Sequence, residues 1–314
     1  MNMPFDRVPR YNKAKQQNAM SSSKDSSNGL VQFSTSSPAL RYSSLPDFNS
    51  EETDEMIINK LNERFEVLRL MTQDAIAGEI RAMIVSGPGG VGKTFTIDAE
   101  LKKWDPDGEN YTTSSGYMRT TGLYKMLYKH RRKGDIIKLD DMDSVFYDEN
   151  SLNFIKIATD TTQNRILTYA AETKLEDEET GELIPRSFEY HGTMLFITNL
   201  DFDAMIDKGN KLSPHLQALV TRSHYIDLMM KTKRDYLIRV FQVAEEGLFD
   251  SVEGGLTDEE MDDVLNFIDK YHRNLRECSL RMALKVANLR KAAHESDSVK
   301  WERKALLTCC KGVL

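Results

Sequence analysis

The chain has 314 residues, 40% of them hydrophobic and 29% charged, and a net charge of −7. That is enough apolar material for about two domains at ~150 residues each, and it excludes collagen-like, mucin-like and wholly disordered classes. No stretch approaches the ~18 consecutive apolar residues of a membrane helix, and the N-terminal MNMPFDRVPRYNKAK lacks the apolar segment of a secretory signal. Three cysteines, Cys278, Cys309 and Cys310, are too few for a disulfide framework and have no second pair to hold zinc. These features point to a cytoplasmic protein with no membrane partner.

Residues 1–50 hold eleven serines, four of the eight prolines and a local charge of +3, which leaves −10 on residues 51–314. The few apolar residues there follow no period, so the segment reads as a disordered Ser-rich tail, or an arm that orders on a partner. From Glu51 the pattern changes. Ile57, Ile58, Leu61, Phe65, Leu68 and Leu70 recur at helical spacing behind an acidic first turn. The apolar run 82–85 then leads into glycines. Helical stretches at 95–104, 123–131 and 152–161 alternate with strand candidates at 136–139, 193–198 and 224–228. Such alternation predicts an α/β layer with a parallel sheet sandwiched by helices, over 51–230. Beyond Met230 strand signals stop, and helices at 232–245, 257–272, 279–294 and 299–310 predict a C-terminal helical domain over 231–314.

Residues 87–94 read GPGGVGKT, which fits G-x-x-x-x-G-K-[ST] without a mismatch. The motif follows an apolar strand and opens a helix at Lys93, as a phosphate loop requires. Glycines 87, 89, 90 and 92 let the backbone wrap close, so that with Pro88, Val91 and the first helical residues through Phe95 they form a cradle of N–H groups. The helix N-terminus adds partial positive charge. Lys93 is placed to reach β- and γ-phosphate oxygens and Thr94 to ligate Mg²⁺. The run IIKLDDMD (136–143) supplies the carboxylates: Asp140 at the strand end for the Mg²⁺ shell, and Asp141 to orient or deprotonate the attacking water.

The order of phosphate loop, helix, strand, helix, then apolar strand with paired acids resembles the AAA+ ATPases, with some likeness to superfamily-3 and pre-sensor-1-hairpin members. Three further elements carry the resemblance. TMLFITN puts Asn199 where the family has its sensor-1 residue. LQALVTRSHYIDL puts Arg222 where it has an arginine finger that enters a neighbouring subunit's site. LRECSLRMALK puts Arg281 where the family's helical lid has its sensor-2 arginine. The wording IIKLDDMDSVF…FEYHGTMLFITNL is similar to phage-encoded members. The resemblance implies ATP and Mg²⁺ as cofactors, a homo-oligomer, most simply a hexameric ring, and remodelling of DNA or protein–DNA complexes in phage replication within the host cytoplasm. A protein-remodelling or loader ATPase stays open, as does a weakly hydrolysing nucleotide-gated scaffold, because many members have Glu where this chain has Asp141.

Three surface features bear on the substrate. The segment YTTSSGYMRTTG (111–122) reads as a loop whose Tyr117 either grips a chain, or stacks on a base, or packs on its own domain. Segments 165–171 and 183–190 read as a β-hairpin with Pro185 in its second strand. Its tip, residues 172–182, carries six acids against Lys174, which would repel phosphates. Lys125, Lys129, His130, Arg131, Arg132 and Lys133 form the densest basic run, a nucleic-acid contact or a solvated helix end.

Overall fold

The computed structural model describes residues 52–312 apart from 163, 171–173, 178–179, 229, 231 and 295. The Ser-rich tail read over 1–50 lies outside the described residues. The elements run α1 (Asp54–Ala77), β1 (Ala82–Ser86), α2 (Lys93–Trp104), β2 (Tyr111–Ser115), α3 (Thr120–Lys129), β3 (Ile136–Asp140) and α4 (Glu149–Ala158). Four short strands follow, β4 (Ile166–Thr168), β5 (Leu175–Glu176), β6 (Leu183–Ile184) and β7 (Ser187–Glu189). Then come β8 (Thr193–Thr198), α5 (Phe202–Asp207), α6 (Ser213–Val220) and β9 (His224–Asp227). The chain closes with α7 (Lys233–Glu245), α8 (Asp258–Tyr271), α9 (Leu280–Lys291) and α10 (Trp301–Cys309).

Five strands form one parallel sheet in the order β2-β3-β8-β1-β9. Its central strands are buried on both faces, which is why they read as unbroken apolar runs. Met83, Val85, Leu195 and Ile197 point to a core shared with Leu61, Phe65, Ile97 and Leu101 of α1 and α2. The alternating residues Ile84, Ile137, Leu139, Met194 and Phe196 point to the opposite core, under α3, α4 and α6. The P-loop α/β fold with a helical lid, expected from the sequence, is the fold observed.

Tyr111–Ser115 is a correction to the sequence reading. It is a strand, β2, at the sheet edge, paired with β3 from Tyr111↔Ile136 to Ser115↔Asp140. Its residues YTTSS carry no apolar alternation because an edge strand buries little; partly buried and exposed positions are all it has.

The C-terminal helices build a core of their own from Phe241, Val264, Phe267, Val286 and Ala305, among others. Helix α7 is the joint: Ile238 faces the sheet core while Leu237 and Phe241 face the lid core. Capping boxes at Thr232–Asp235 and Thr257–Glu260 start α7 and α8, satisfying N–H groups that a helix leaves open. A buried ion pair, Arg234 to Asp54, ties the start of α7 to the start of α1. Cys309 and Cys310 are buried and unbridged, and Trp301 packs against Phe267 at 5.6 Å, so this end of the chain packs the lid.

The insertion between α4 and β8 is a two-tiered hairpin: β4 pairs with β7, and further out β5 pairs with β6. Pro185 falls between the tiers, where it need not donate to a ladder. Its carbonyl accepts from Tyr124 Oη at 3.0 Å.

Candidate functional site

Phosphate loop, carboxylates and sensor positions converge at the C-terminal edge of the sheet. The loop leaves β1, the acids leave β3, and β8 lies between them. Two glycines are demanded by close approach. A Cβ on Gly87 would lie 3.1 Å from the Leu228 backbone, and one on Gly90, at φ +73°, would lie 2.9 Å from Ser279 Cβ. The lid sits directly on the loop, since Leu280 N donates to Gly90 O at 2.8 Å.

Lys93 is buried at the foot of the loop. Its Nζ donates to Gly87 O, to Pro88 O at 2.9 Å and to Asn199 Oδ1 at 2.9 Å. Burial pulls the ammonium down to about 8, against the pull of Asp141 and Asp140, which favour the charged form. Thr94 Oγ1 donates to Asp140 Oδ1 at 3.2 Å. Asn199 completes the circuit, donating from Nδ2 to Asp141 Oδ1 at 3.0 Å.

Asp141 has φ +52°, which no other non-glycine shares among the described residues. Its N–H donates to Ile197 O at 3.0 Å, pinning the turn to β8. The left-handed region admits Asp and Asn far more readily than Glu. That accounts for the shorter acid at this position, where the resemblance led one to expect Glu.

A cavity of about 640 Å³ opens between loop and lid. It is lined by Gly89–Phe95, Asp140, Asp141, Asn199 and Arg281, and on the lid side by Val243, Leu248, Leu280 and Leu284. The sequence-picked residues therefore meet in one place, apart from Gly87 and Pro88, which contribute carbonyls to Lys93 from its edge, and Arg222. Arg222 lies between α6 and β9, at the end of the sheet away from the loop. Its Nε contacts Asp160 Oδ2 at 3.4 Å and its Nη1 donates to Ala218 O at 2.8 Å. It cannot reach the cavity of its own chain.

Three residues at the site escaped the sequence reading. Lys138 is buried on β3, bonds Asp98 of α2, and lies 3.6 Å from Asp140 Oδ2. Its signal was a charge inside an apolar strand. Asp143 accepts from Thr198 Oγ1 at 2.6 Å, and burial pushes its carboxyl up, with Asp141 adding to the shift. Arg239 of α7 is buried, donates to Val91 O at 3.3 Å and stacks on Phe65 at 3.6 Å, so it joins lid, loop and α1. Burial lowers its pKa to about 10. Nothing in the amphipathic pattern of α7 announces that role.

Oxygen donors from Thr94 and Asp140 suit a hard cation that keeps most of its remaining ligands from phosphate and water, which is how Mg²⁺ is held. No cluster of three or more His, Cys, Asp or Glu able to hold a metal alone occurs among the described residues. Tyr117 does not pack on its own domain. It is 75% exposed at the lip of a groove of about 780 Å³ shared with Phe154 and Tyr169. In the basic run, Arg131 stacks on Tyr128 at 3.9 Å and donates to its carbonyl, so part of that run is folded back on α3. No described helix is long and apolar enough to cross a membrane.

No protein-family model matches the sequence. An uncharacterized 36.7 kDa protein of Enterobacteria phage T4, from the nrdC–mobD intergenic region, is 38% identical over 240 residues, covering 76% of this chain and 72% of its own. Among solved structures, NtrX from Brucella abortus in complex with ADP aligns at TM-score 0.44 and 12% identity over 80% of this chain. The present chain spans about half of that protein, 53%. The RuvB Holliday junction branch migration motor of Thermotoga maritima aligns at TM-score 0.42 and 14% identity, over 81% of this chain and 67% of RuvB.

Proposed function

The chain belongs to the family of the 36.7 kDa phage T4 protein, and from its phosphate loop and the carboxylates beside it we propose that it is a Mg²⁺-dependent AAA+ ATPase. It assembles into a ring, six-membered as the AAA+ resemblance implies, and uses hydrolysis to remodel DNA or a protein–DNA complex in phage replication. The observation that carries the reading is the linked set Thr94–Asp140 and Lys93–Asn199–Asp141, bonded in sequence around one cavity beneath the lid.

In this reading the loop N–H groups and the N-terminus of α2 hold the β-phosphate. Lys93 exchanges the Gly87 and Pro88 carbonyls for phosphate oxygens. Thr94 and Asp140 would hold Mg²⁺, which when bound neutralises charge on the β- and γ-oxygens. Asn199 fixes Asp141 in orientation, and Asp141 accepts the proton of the attacking water. The apolar lid residues Val243, Leu248 and Leu284 take the base, and Arg281 faces the phosphates from the lid. Because Arg222 is turned away from its own cavity, it serves a second copy, where a guanidinium on the transferring phosphoryl group is worth ~10³–10⁵ in rate.

The test is ATP turnover by the assembled protein, with and without DNA, at moderate salt. Lys93→Ala and Asp141→Ala are each expected to lower turnover by at least about a hundredfold. Arg222→Ala should do the same while leaving nucleotide binding intact. If both site variants hydrolyse like the wild type, the cavity gates assembly instead. If DNA neither stimulates nor binds, the substrate is a protein.

A further inference from the structure

A second basic surface lies apart from the run read from the sequence. A groove of about 510 Å³ lies beside the phosphate loop, walled by Pro88 and Gly89 on one side and the lid on the other. Its cations come from separate parts of the chain: Lys233 at the start of α7, Arg273 and Arg276 after α8, Arg281 in α9 and Lys311 after α10. All five are exposed. None of them forms an ion pair among the described residues. The contrast within the lid is plain, for Arg290, Lys291 and Lys304 are all taken by Asp263, Glu260 and Asp297. The one carboxylate in the lining, Glu277, accepts from Ser279 Oγ at 2.8 Å.

The groove is held in shape by backbone bonds, with Asn274 Nδ2 donating to Lys311 O and Arg276 Nε to Thr308 O, each at 3.3 Å. Arg276 N donates to Cys309 O at 2.9 Å, Lys311 N to Asn274 O at 2.7 Å, and Leu275 bridges Cys310. Leu275, Cys309 and Cys310 are buried, so Arg276 and Lys311, which flank that bridge, stand on anchored backbone. Unpaired cations in a recess, in a region whose overall charge is −10, favour a polyanion over an acidic or neutral small ligand.

We propose that this groove binds the phosphodiester backbone of single-stranded nucleic acid. A recess of this volume takes one strand, whose successive phosphates meet successive cations, and Tyr236 in its wall offers a ring to a base. A duplex would touch only the rim. Gly89 and Arg281 line both this groove and the nucleotide cavity, so an occupied groove presses on the loop that holds phosphate. The inference names the substrate class of the machine proposed above and rests on that reading for its coupling to nucleotide.

The experiment is fluorescence anisotropy of labelled oligo-dT and of a matched duplex with the full chain, over a salt series, alongside binding of a fluorescent ATP analogue and light scattering. Arg273→Glu/Arg276→Glu is expected to weaken oligo-dT binding by about tenfold or more and to flatten its salt dependence. Lys129→Glu/Arg132→Glu, in the sequence-evident run, should change it far less. ATP-analogue binding and particle size should match the wild type in both. The proposal is overturned if the wild type binds no oligo-dT, if duplex binds more tightly, if both charge reversals act equally, or if the groove variant changes particle size alone. That last result would make the groove a contact for an acidic segment of a second copy. A wild type that binds oligo-dT through the groove but no ATP analogue keeps the groove and removes the ATPase reading.

Discussion

Lys138 Nζ lies 3.6 Å from Asp140 Oδ2, on the opposite side of that carboxylate from Thr94 Oγ1, which donates to Oδ1 at 3.2 Å. The same ammonium bonds Asp98, one helical turn beyond Thr94 on α2. Strand and helix periods produce this cluster together. Residues 138 and 140 share one face of β3, and residues 94 and 98 share one face of α2. Lys138 therefore lies between two neighbouring carboxylates and holds both in position.

Removing that cation leaves Asp98 and Asp140 unopposed. Lys138→Met is expected to cost about 3 kcal/mol in urea unfolding, the lower end for stripping one partner from a buried pair, because Asp98 is partly solvated. Adding Asp98→Asn should recover most of the loss, and the coupling between the two substitutions is the quantity to read. Additive effects would mean that the pair does not act as one unit.

Asp141 holds a conformation that constrains its replacement. Asp141→Asn tolerates φ +52° and keeps the bond from Asn199 within reach, so its stability should match the wild type within about 0.5 kcal/mol, while turnover falls by about 10²–10⁴. Asp141→Glu, although longer, should lose about 1 kcal/mol of stability and some turnover. A glutamate variant faster than the wild type would contradict this account of why the position is Asp.

Asp143 gives a pH signature. Its carboxyl is raised above 3.8 by burial, so the ionised form costs the folded state stability. The cost is absent well below 3.8 and sets in as pH rises through the folded value. Asp143→Asn still accepts from Thr198 and removes the buried charge. It should melt above the wild type at neutral pH, with the gap closing in acid. A gap that is constant with pH would assign the effect to packing.

Gly90 joins loop to lid. Gly90→Ala places a methyl 2.9 Å from Ser279 Cβ at φ +73°, with an expected cost of about 1–3 kcal/mol and weaker nucleotide binding, since the lid must lift to admit it. Unchanged denaturant midpoint and nucleotide affinity would show that the lid is not seated on the loop in solution.

Much of the fold was legible in the sequence because its signals are local. The parallel strands are buried on both faces, so they read as short apolar runs, and the lid helices carry their caps in sequence at Thr232, Thr257 and Ser279. The phosphate loop is legible for the same reason: glycines, lysine and threonine must be contiguous to wrap one phosphate. Strand β2 was not, because an edge strand needs no apolar face.

What only the tertiary structure decided are relations between residues far apart in the chain. Lys138 meets Asp98 across the β3–α2 contact, Arg239 reaches Val91 across 148 positions, and Asp141 is shaped by a bond to Ile197 on another strand. Charge shows the division most clearly. The densest basic run in the sequence is partly folded back on Tyr128, while the groove beside the loop gathers five cations from positions 233 to 311. Covalent order fixes which residues can be neighbours on one helix or strand. Which distant charges share a surface is set by packing, and packing has no local sign.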